Sequence, residues 1–286
     1  MDQIVKPAQI QKRCLAWRAE GLRIALAPTM GFFHAGHESL MREGRRLADK
    51  LVVSLFVNPT QFGPGEDLNN YPRDPEKDAL TAEACGADVL FMPEPEDMYA
   101  ADHAAWVEVP DLAGTLCGLS RPTHFRGVAT VVAKLFMLVQ PHIALFGRKD
   151  WQQLVIIRRL ARDLSIPVEI LGLPVVREED GLAMSSRNAY LSPEERRQAP
   201  HLYKGLLLAR ELARNGAREV SALETAVRRY WSERFPLGRV DYLSFVHPET
   251  LRAADRLDDS VLAAAAVFTR RARLIDNLLL EICPTH

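Results

Sequence analysis

Two histidines three residues apart, His34 and His37, lie in the stretch Pro28-Thr29-Met30-Gly31-Phe32-Phe33-His34-Ala35-Gly36-His37. Imidazoles at that spacing share one side of a first helical turn. Gly31 and Gly36 allow close backbone approach, and the first N–H groups of a helix lack partners and carry partial positive charge. The chemistry suggested is the holding of phosphate. A zinc pair or chance surface histidines are the other readings of so short a pattern. A catalytic zinc usually takes three protein ligands, and no third is indicated. Further along, Asp180-Gly181-Leu182-Ala183-Met184-Ser185-Ser186-Arg187-Asn188 sets two hydroxyls beside a guanidinium, donors that suit phosphate oxygens. A solvated loop with a helix-capping serine is the plainer alternative there. Neither a Gly-x-Gly-x-x-Gly fingerprint nor a Gly-x-x-x-x-Gly-Lys-[Ser/Thr] loop occurs, so phosphate would be held in another way. No Ser-His-Asp or Cys-His nucleophile is evident.

The elements that must position these groups alternate. Residues Ile10–Glu20 read as a helix ended by Gly21, and the apolar run Leu22–Ala27 as a buried strand feeding the histidine turn. A helix covers Glu38–Ala48. Continuous apolar runs at Leu51–Val57, Ala87–Met92, Ile143–Phe146 and Val168–Val176 predict further strands, with helices at Pro75–Cys85, Val128–Val139 and Gln152–Leu164 between them. Short, evenly apolar strands alternating with helices predict an α/β fold, a doubly wound parallel sheet covered on both faces. In such sheets ligands bind beyond the carboxyl ends of the strands. The histidine turn, Asn58-Pro59-Thr60-Gln61-Phe62 and Gly147-Arg148-Lys149-Asp150 all fall at such ends, although strand order is not visible in the sequence. After Val176 the texture changes. Helices are predicted at Pro193–Asn215 and Ala217–Phe235, and strands at Val240–Val246 and Val261–Phe268. The expected domains are 1–175, Rossmann-like, and 176–286, a smaller α+β domain whose loop 180–188 could close over a nucleotide.

The 286 residues, 48% of them apolar and 26% charged, describe an ordinary globular chain with a sizeable core. A formal charge of −1 argues against a large nucleic-acid footprint. Cys14, Cys85, Cys117 and Cys283 match no metal-ligand or redox spacing and read as reduced thiols. No leader or membrane-length apolar run is read, so a cytoplasmic protein is expected.

The His-x-Gly-His motif with a later Met-Ser-Ser-Arg loop resembles the class I aminoacyl-tRNA synthetase and nucleotidyltransferase superfamily. Within it the ordered set is similar to the pantothenate synthetase family: Pro28–Gly31 with His34-x-Gly36-His37, Phe56–Pro59 with Gln61-Phe62, Arg121–Gly127, Gly147-x-Lys149-Asp150-x-Gln152-Gln153, Asp180-Gly181 with Ser185–Asn188, and Arg273–Asn277. That resemblance implies an ATP-dependent ligase that joins (R)-pantoate to β-alanine through a pantoyl adenylate, releasing AMP and pyrophosphate. It implies an ATP site at Met30, Gly31, Phe32, Phe33, His34, Ala35, Gly36, His37, Gly147, Arg148, Lys149, Asp150, Val176, Met184, Ser185, Ser186 and Arg187. His37, His34 and Lys149 would be catalytic, with His37 matching the family's proposed proton donor. Gln61 and Gln153 would hold pantoate, with Asn58 as helper and Gln61 also meeting β-alanine. ATP is expected as substrate with Mg2+ bound through its phosphates. Asp67, Asp74 and Asp78 are nearby carboxylates, none of them singled out as a metal ligand. A homodimer is implied, with 56–62 as a loosely suggested interface. His124 and Arg126 could as easily be structural and stay outside the expected site.

Three positions depart from the family pattern: Arg148 where an acidic residue is usual, Thr60 where Met is common, and Phe33 where Leu is common. Arg148 would add positive charge beside the nucleotide site or simply point to solvent, and the other two bear on substrate fit. The turn-rich segment Gly63–Asp74 is either a lid that shields the adenylate from water or an ordinary surface loop.

Overall fold

A computed structural model describes residues 1–281, and the chain folds as two compact units. Among the described residues the first comprises Met1–Gly114, Arg121–Arg148 and Gln153–Pro174; the second comprises Thr115–Ser120, Lys149–Gln152 and 175–281.

The first unit is built on six strands: β1 (Asp2–Ile4), β2 (Ile24–Thr29), β3 (Lys50–Leu55), β4 (Val89–Phe91), β5 (Ile143–Gly147) and β6 (Glu169–Leu173). They pair in parallel throughout, in the order β1-β4-β3-β2-β5-β6. Along β2, Ile24 and Leu26 enter one packing layer with Ile10, Trp17 and Phe136, while Ala25 and Ala27 enter the opposite layer with Leu40 and Met41. Both faces are thus buried, which is why the strand sequences are continuously apolar rather than alternating. The chain runs β2, β3, β4 toward one edge and then places β5 and β6 on the other side of β2. Strand order therefore reverses between β2 and β5, the place where open α/β sheets bind ligands.

The second unit carries an antiparallel sheet of β7 (Arg239–Val246), β8 (Val261–Phe268) and β9 (Arg273–Leu280), in that order. Helices His201–Arg214 and Val220–Arg234 supply Leu206, Leu223 and Trp231 to a core shared with β8, which is buried along nearly its whole length.

The departures from the sequence reading have local causes. β1 was not foreseen: it has three residues, only Ile4 of them buried, and pairs at the sheet edge with β4. β6 stops at Leu173 rather than running to Val176, because Pro174 has no N–H to continue a ladder. The helix expected over 193–215 is two, Pro193–Gln198 and His201–Arg214, interrupted at Ala199-Pro200 for the same reason. β9 escaped notice because buried Asp276 and Asn277 interrupt its apolar pattern.

Cys14, Cys85 and Cys117 are buried and unbridged, and burial pushes the Cys14 thiol up to about 12; Cys283 lies outside the described residues. Among the described residues no helix is long and apolar enough to cross a membrane.

Candidate active site

The histidine turn hangs from the carboxyl end of β2. Gly31 has φ +87° and Phe32 has φ +53°, so the backbone passes through the left-handed region at two successive residues. At Phe32 that conformation is costly for a side-chain-bearing residue. It is held by Asp78, whose two carboxylate oxygens accept the N–H groups of Phe32 and Phe33, each at 2.7 Å. Asp78 is 1% exposed, and burial pushes its carboxyl above the usual aspartate range against the pull of those two amides. A Cβ on Gly31 would stand 2.9 Å from the same carboxylate. Position 31 is therefore glycine for its conformation and for its clearance.

His34 is the N-cap of helix Ala35–Leu47, which begins three residues earlier than the apolar pattern indicated. Its Nδ1 accepts the Gly36 N–H at 3.1 Å, and the His37 Nδ1 accepts the His34 N–H at 3.3 Å. The pair forms a reciprocal capping box with imidazoles in the roles usually taken by Ser/Thr and Glu/Gln. A backbone N–H can only donate, so both Nδ1 atoms are acceptors. In the neutral rings the proton then sits on Nε2. The rings lie 4.1 Å apart between centroids. The amides of Gly36 and His37 are committed within the turn, to His34 Nδ1 and to the His34 carbonyl.

At the end of β3, Asn58 caps the short turn Pro59–Gln61. Asn58 is 1% exposed and Gln61 8%. Asn58 Nδ2 donates to the Gly127 carbonyl at 3.1 Å and to Gln61 Oε1 at 3.0 Å. The Gln61 Nε2 reaches the Met30 Sδ at 3.1 Å, so the turns after β2 and β3 meet through these two side chains. The Gln61 carbonyl takes His124 Nδ1 at 2.8 Å and Arg121 Nη2 at 3.2 Å. His124 thus supports the Gln61 backbone, whereas Arg126 lies over the Trp106 ring and 3.7 Å from Glu108. Gly127 is required by contact: a Cβ there would fall 2.4 Å from the Thr60 carbonyl oxygen. Phe56, part of the loosely suggested interface, is 5% exposed and packs against Tyr99.

β5 is the neighbour of β2 and ends at Gly147. Arg148 is exposed and donates from Nε to the Gly172 carbonyl at 2.9 Å, along β6. Lys149 clusters with the second unit, where Asn277 Nδ2 on β9 holds its carbonyl at 2.8 Å. Two adjacent glutamines separate in role. Gln152 is buried, bonding the Thr115 carbonyl at 2.8 Å and the Cys117 N–H at 3.0 Å, while Gln153 is half-buried.

Also in the second unit, Val176 and Met184 are joined by a Met184 N–H to Val176 carbonyl bond at 3.0 Å. Ser185 accepts the Arg187 N–H at 3.3 Å and caps the turn Ser186–Tyr190, in which Ser186 is buried. Beside Val176, Arg177 makes a two-pronged pair with Asp276 at 2.6 and 2.9 Å and stacks at 3.4 Å over Tyr203. Burial pushes the Asp276 carboxyl up even with Arg177 attached.

The first unit thus brings together Met30–His37, Asn58 and Gln61, with Gly147 on the adjacent strand end. The second supports Lys149, Val176 and Met184–Arg187 on a frame that includes Asn277 and Asp276. Sequence reasoning gave no supporting role to Asp78, Asn277, Gly127 or Tyr99. The available signals were the Arg121–Gly127 and Arg273–Asn277 similarities and Asp78 among the nearby carboxylates, none of which carried such a role. Among the described residues no three His, Cys, Asp or Glu side chains gather as metal ligands.

The family model for pantoate-beta-alanine ligase matches residues 2–279. The pantothenate synthetase of Nitratidesulfovibrio vulgaris (strain DSM 19637 / Miyazaki F) is 61% identical over 280 residues, 98% of this chain and 99% of its own length. That of Desulfovibrio desulfuricans (strain ATCC 27774 / DSM 6949 / MB) is 60% identical over 281 residues, 98% of this chain and all of its own. Among solved structures, pantothenate synthetase from Thermus thermophilus matches with a TM-score of 0.91 at 46% identity, covering 97% of this chain and 99% of that one. Pantoate-beta-alanine ligase from Francisella tularensis, complexed with beta-gamma ATP and beta-alanine, matches over the full length of both chains with a TM-score of 0.81 at 29% identity.

Proposed function

Because the chain belongs to the pantoate–β-alanine ligase family, we propose that the groups described above carry out ATP-dependent ligation of pantoate to β-alanine as follows. The pantoate carboxylate attacks the α-phosphorus of ATP. A C–O–P linkage forms, the Pα–O–Pβ bond breaks, and its electron pair leaves on pyrophosphate. The amine of β-alanine then attacks the acyl carbon, expels AMP and loses a proton, leaving the amide of pantothenate. Substrate supplies both nucleophiles, so the protein's task is positioning and charge neutralisation.

The observation that carries this assignment is the imidazole pair at the β2–β5 reversal, each ring fixed through Nδ1 in a reciprocal cap. His34 and His37 bind phosphate oxygens, and with Lys149 they stabilise the departing pyrophosphate. Met30–His37, Gly147–Asp150, Val176 and Met184–Arg187 line the ATP site. Gln61 and Gln153 receive pantoate with Asn58 as helper behind Gln61, and Gln61 also meets β-alanine. Neutral amides can bond a carboxylate without holding it in an ion pair that would blunt its attack. Residues 1–175 would form the ATP- and pantoate-binding domain, and 176–286 the one carrying the Met-Ser-Ser-Arg loop. Mg2+ would be held mainly through the phosphates of ATP, since both oxygens of Asp78, which clamps the turn, are on backbone amides. A homodimer working in the cytoplasm, where ATP is abundant, completes the reading; sedimentation velocity checks the assembly.

The test is pyrophosphate exchange into ATP with and without pantoate. Exchange that depends on pantoate is expected, and His37→Ala or Lys149→Ala should abolish it in folded protein. Exchange indifferent to pantoate but responsive to another acid would overturn the substrate, and near-normal exchange in either variant would overturn that residue's role.

A further inference from the structure

The environment of Thr60 suggests what its hydroxyl does. Backbone groups touch the Asn58 amide on both sides and set which end faces which. The Gly127 carbonyl can only accept, so Nδ2 must face it, and the Thr60 N–H, 3.4 Å from Oδ1, can only donate. The second Nδ2 hydrogen goes to Gln61 Oε1 at 3.0 Å. The Gln61 amide is thereby turned with Nε2 toward the Met30 side, one N–H on Met30 Sδ at 3.1 Å and the second left for a ligand. Two hydroxyls converge on the remaining face of Asn58: Thr60 Oγ1 and Tyr99 OH both lie 2.9 Å from Oδ1, and 3.3 Å from each other. The Tyr99 ring is itself held, against Phe56, His103 and Trp106, with the Lys134 ammonium 5.4 Å from its centroid.

We propose that Thr60 and Tyr99 are positioning residues for the acid substrate: their hydroxyls saturate the Asn58 carbonyl, and Asn58 in turn fixes Gln61 to present N–H donors rather than its carbonyl. The subsite at Gln61 is therefore selective for oxygen acceptors such as a carboxylate. With the hydroxyls removed, Oδ1 keeps only the long Thr60 N–H bond while the Gly127 carbonyl still holds Nδ2, so the Asn58 amide is free to tilt and its bond to Gln61 Oε1 weakens. Gln61 then loses its fixed partner and samples the orientation that sets carbonyl oxygen against substrate carboxylate. This proposal rests on the assignment of Gln61 to pantoate made above.

The experiment measures pantoate-dependent pyrophosphate exchange for Tyr99→Phe, Thr60→Val, the double variant, Thr60→Ser and Gln61→Ala. One hydroxyl bond contributes on the order of 1 kcal/mol, or about fivefold in affinity. Each single variant should raise the pantoate KM about two- to fivefold. Because both hydroxyls serve one oxygen, the double variant should exceed the product of the two, at roughly thirtyfold or more. The ATP KM should stay within about twofold, and Thr60→Ser should restore the wild-type pantoate KM. Equal rises in both KM values, or a double variant within twofold of wild type for pantoate, overturn the proposal. Should the double variant not fold, the singles and the serine rescue decide it. Gln61→Ala separates the two levels: a pantoate KM unchanged there refutes the Gln61 assignment itself, whereas a large rise there with a silent double variant refutes only the positioning by Thr60 and Tyr99.

Discussion

Asp78 offers the sharpest test of how the histidine turn is held. Its carboxylate accepts two backbone N–H groups at 2.7 Å from a site 1% exposed, and one of those residues, Phe32, is in the left-handed region. Asp78→Asn keeps the shape but replaces one acceptor oxygen with an NH2 group that faces a donor. A hydrogen bond to a charged group contributes about 1.5–3 kcal/mol, and a buried donor left unsatisfied costs about 1–3 kcal/mol. The change also removes a buried negative charge whose carboxyl is already pushed up by burial, which offsets part of that loss. The net expectation is a destabilisation of about 2 kcal/mol. Release of Phe32 toward a relaxed backbone would also shift His34, two residues on. Urea denaturation reads the first effect, and the ATP KM in pyrophosphate exchange reads the second, with a rise of roughly tenfold expected. Asp78→Ala, which strips both acceptors and leaves a void, should be worse on both counts. Stability within about 0.5 kcal/mol of wild type together with an unchanged ATP KM for Asp78→Asn would refute the clamp.

Two further predictions concern supports of the site. Glu66, in the candidate lid segment, accepts two bonds from Arg121 at 2.6 Å each; burial acts to raise its carboxyl, but Arg121 and the Gly63 amide outweigh it and hold it below the usual range. A depressed folded value means the pair's contribution is present above the unfolded glutamate pKa, about 4.3, and is lost as pH falls through the lower folded value. Proteolytic nicking within 63–74 should therefore rise on acidification past that range, and Arg121→Ala should show the same nicking at neutral pH; a pH-independent pattern would refute the latch. Asn277→Ala removes the 2.8 Å bond that holds the Lys149 carbonyl. Adenylate formation should fall about tenfold for a stability cost of about 1 kcal/mol, and unchanged exchange kinetics would show that Lys149 needs no such support.

The sequence by itself determined the layers of the first unit, because strands buried on both faces must be apolar throughout and the helices between them must show one apolar side. It also located the groups with special chemistry: His34 and His37, Asn58 and Gln61, Lys149, and Ser185 to Arg187 stand out by residue type at the ends of such runs. What it could not contain was how those groups are oriented. Whether His34 presents Nδ1 or Nε2 depends on a cap closed with Gly36. Which end of the Gln61 amide faces Met30 depends on Gly127, acting through Asn58 from 69 positions along the chain. Gln152 and Gln153 are alike as letters and differ only because one is buried against Thr115 and Cys117. Asp78 read as one of three possible magnesium ligands until tertiary contact placed both its oxygens on the backbone of the histidine turn. Strand order, and with it the reversal between β2 and β5, depends on pairings between segments more than a hundred residues apart. Local propensity and periodicity are properties of neighbours in sequence, whereas hydrogen-bond direction and burial are properties of neighbours in space. In the turn from Met30 to His37, the residue types suggested a phosphate site, and only the fold decided which of its atoms are committed to one another.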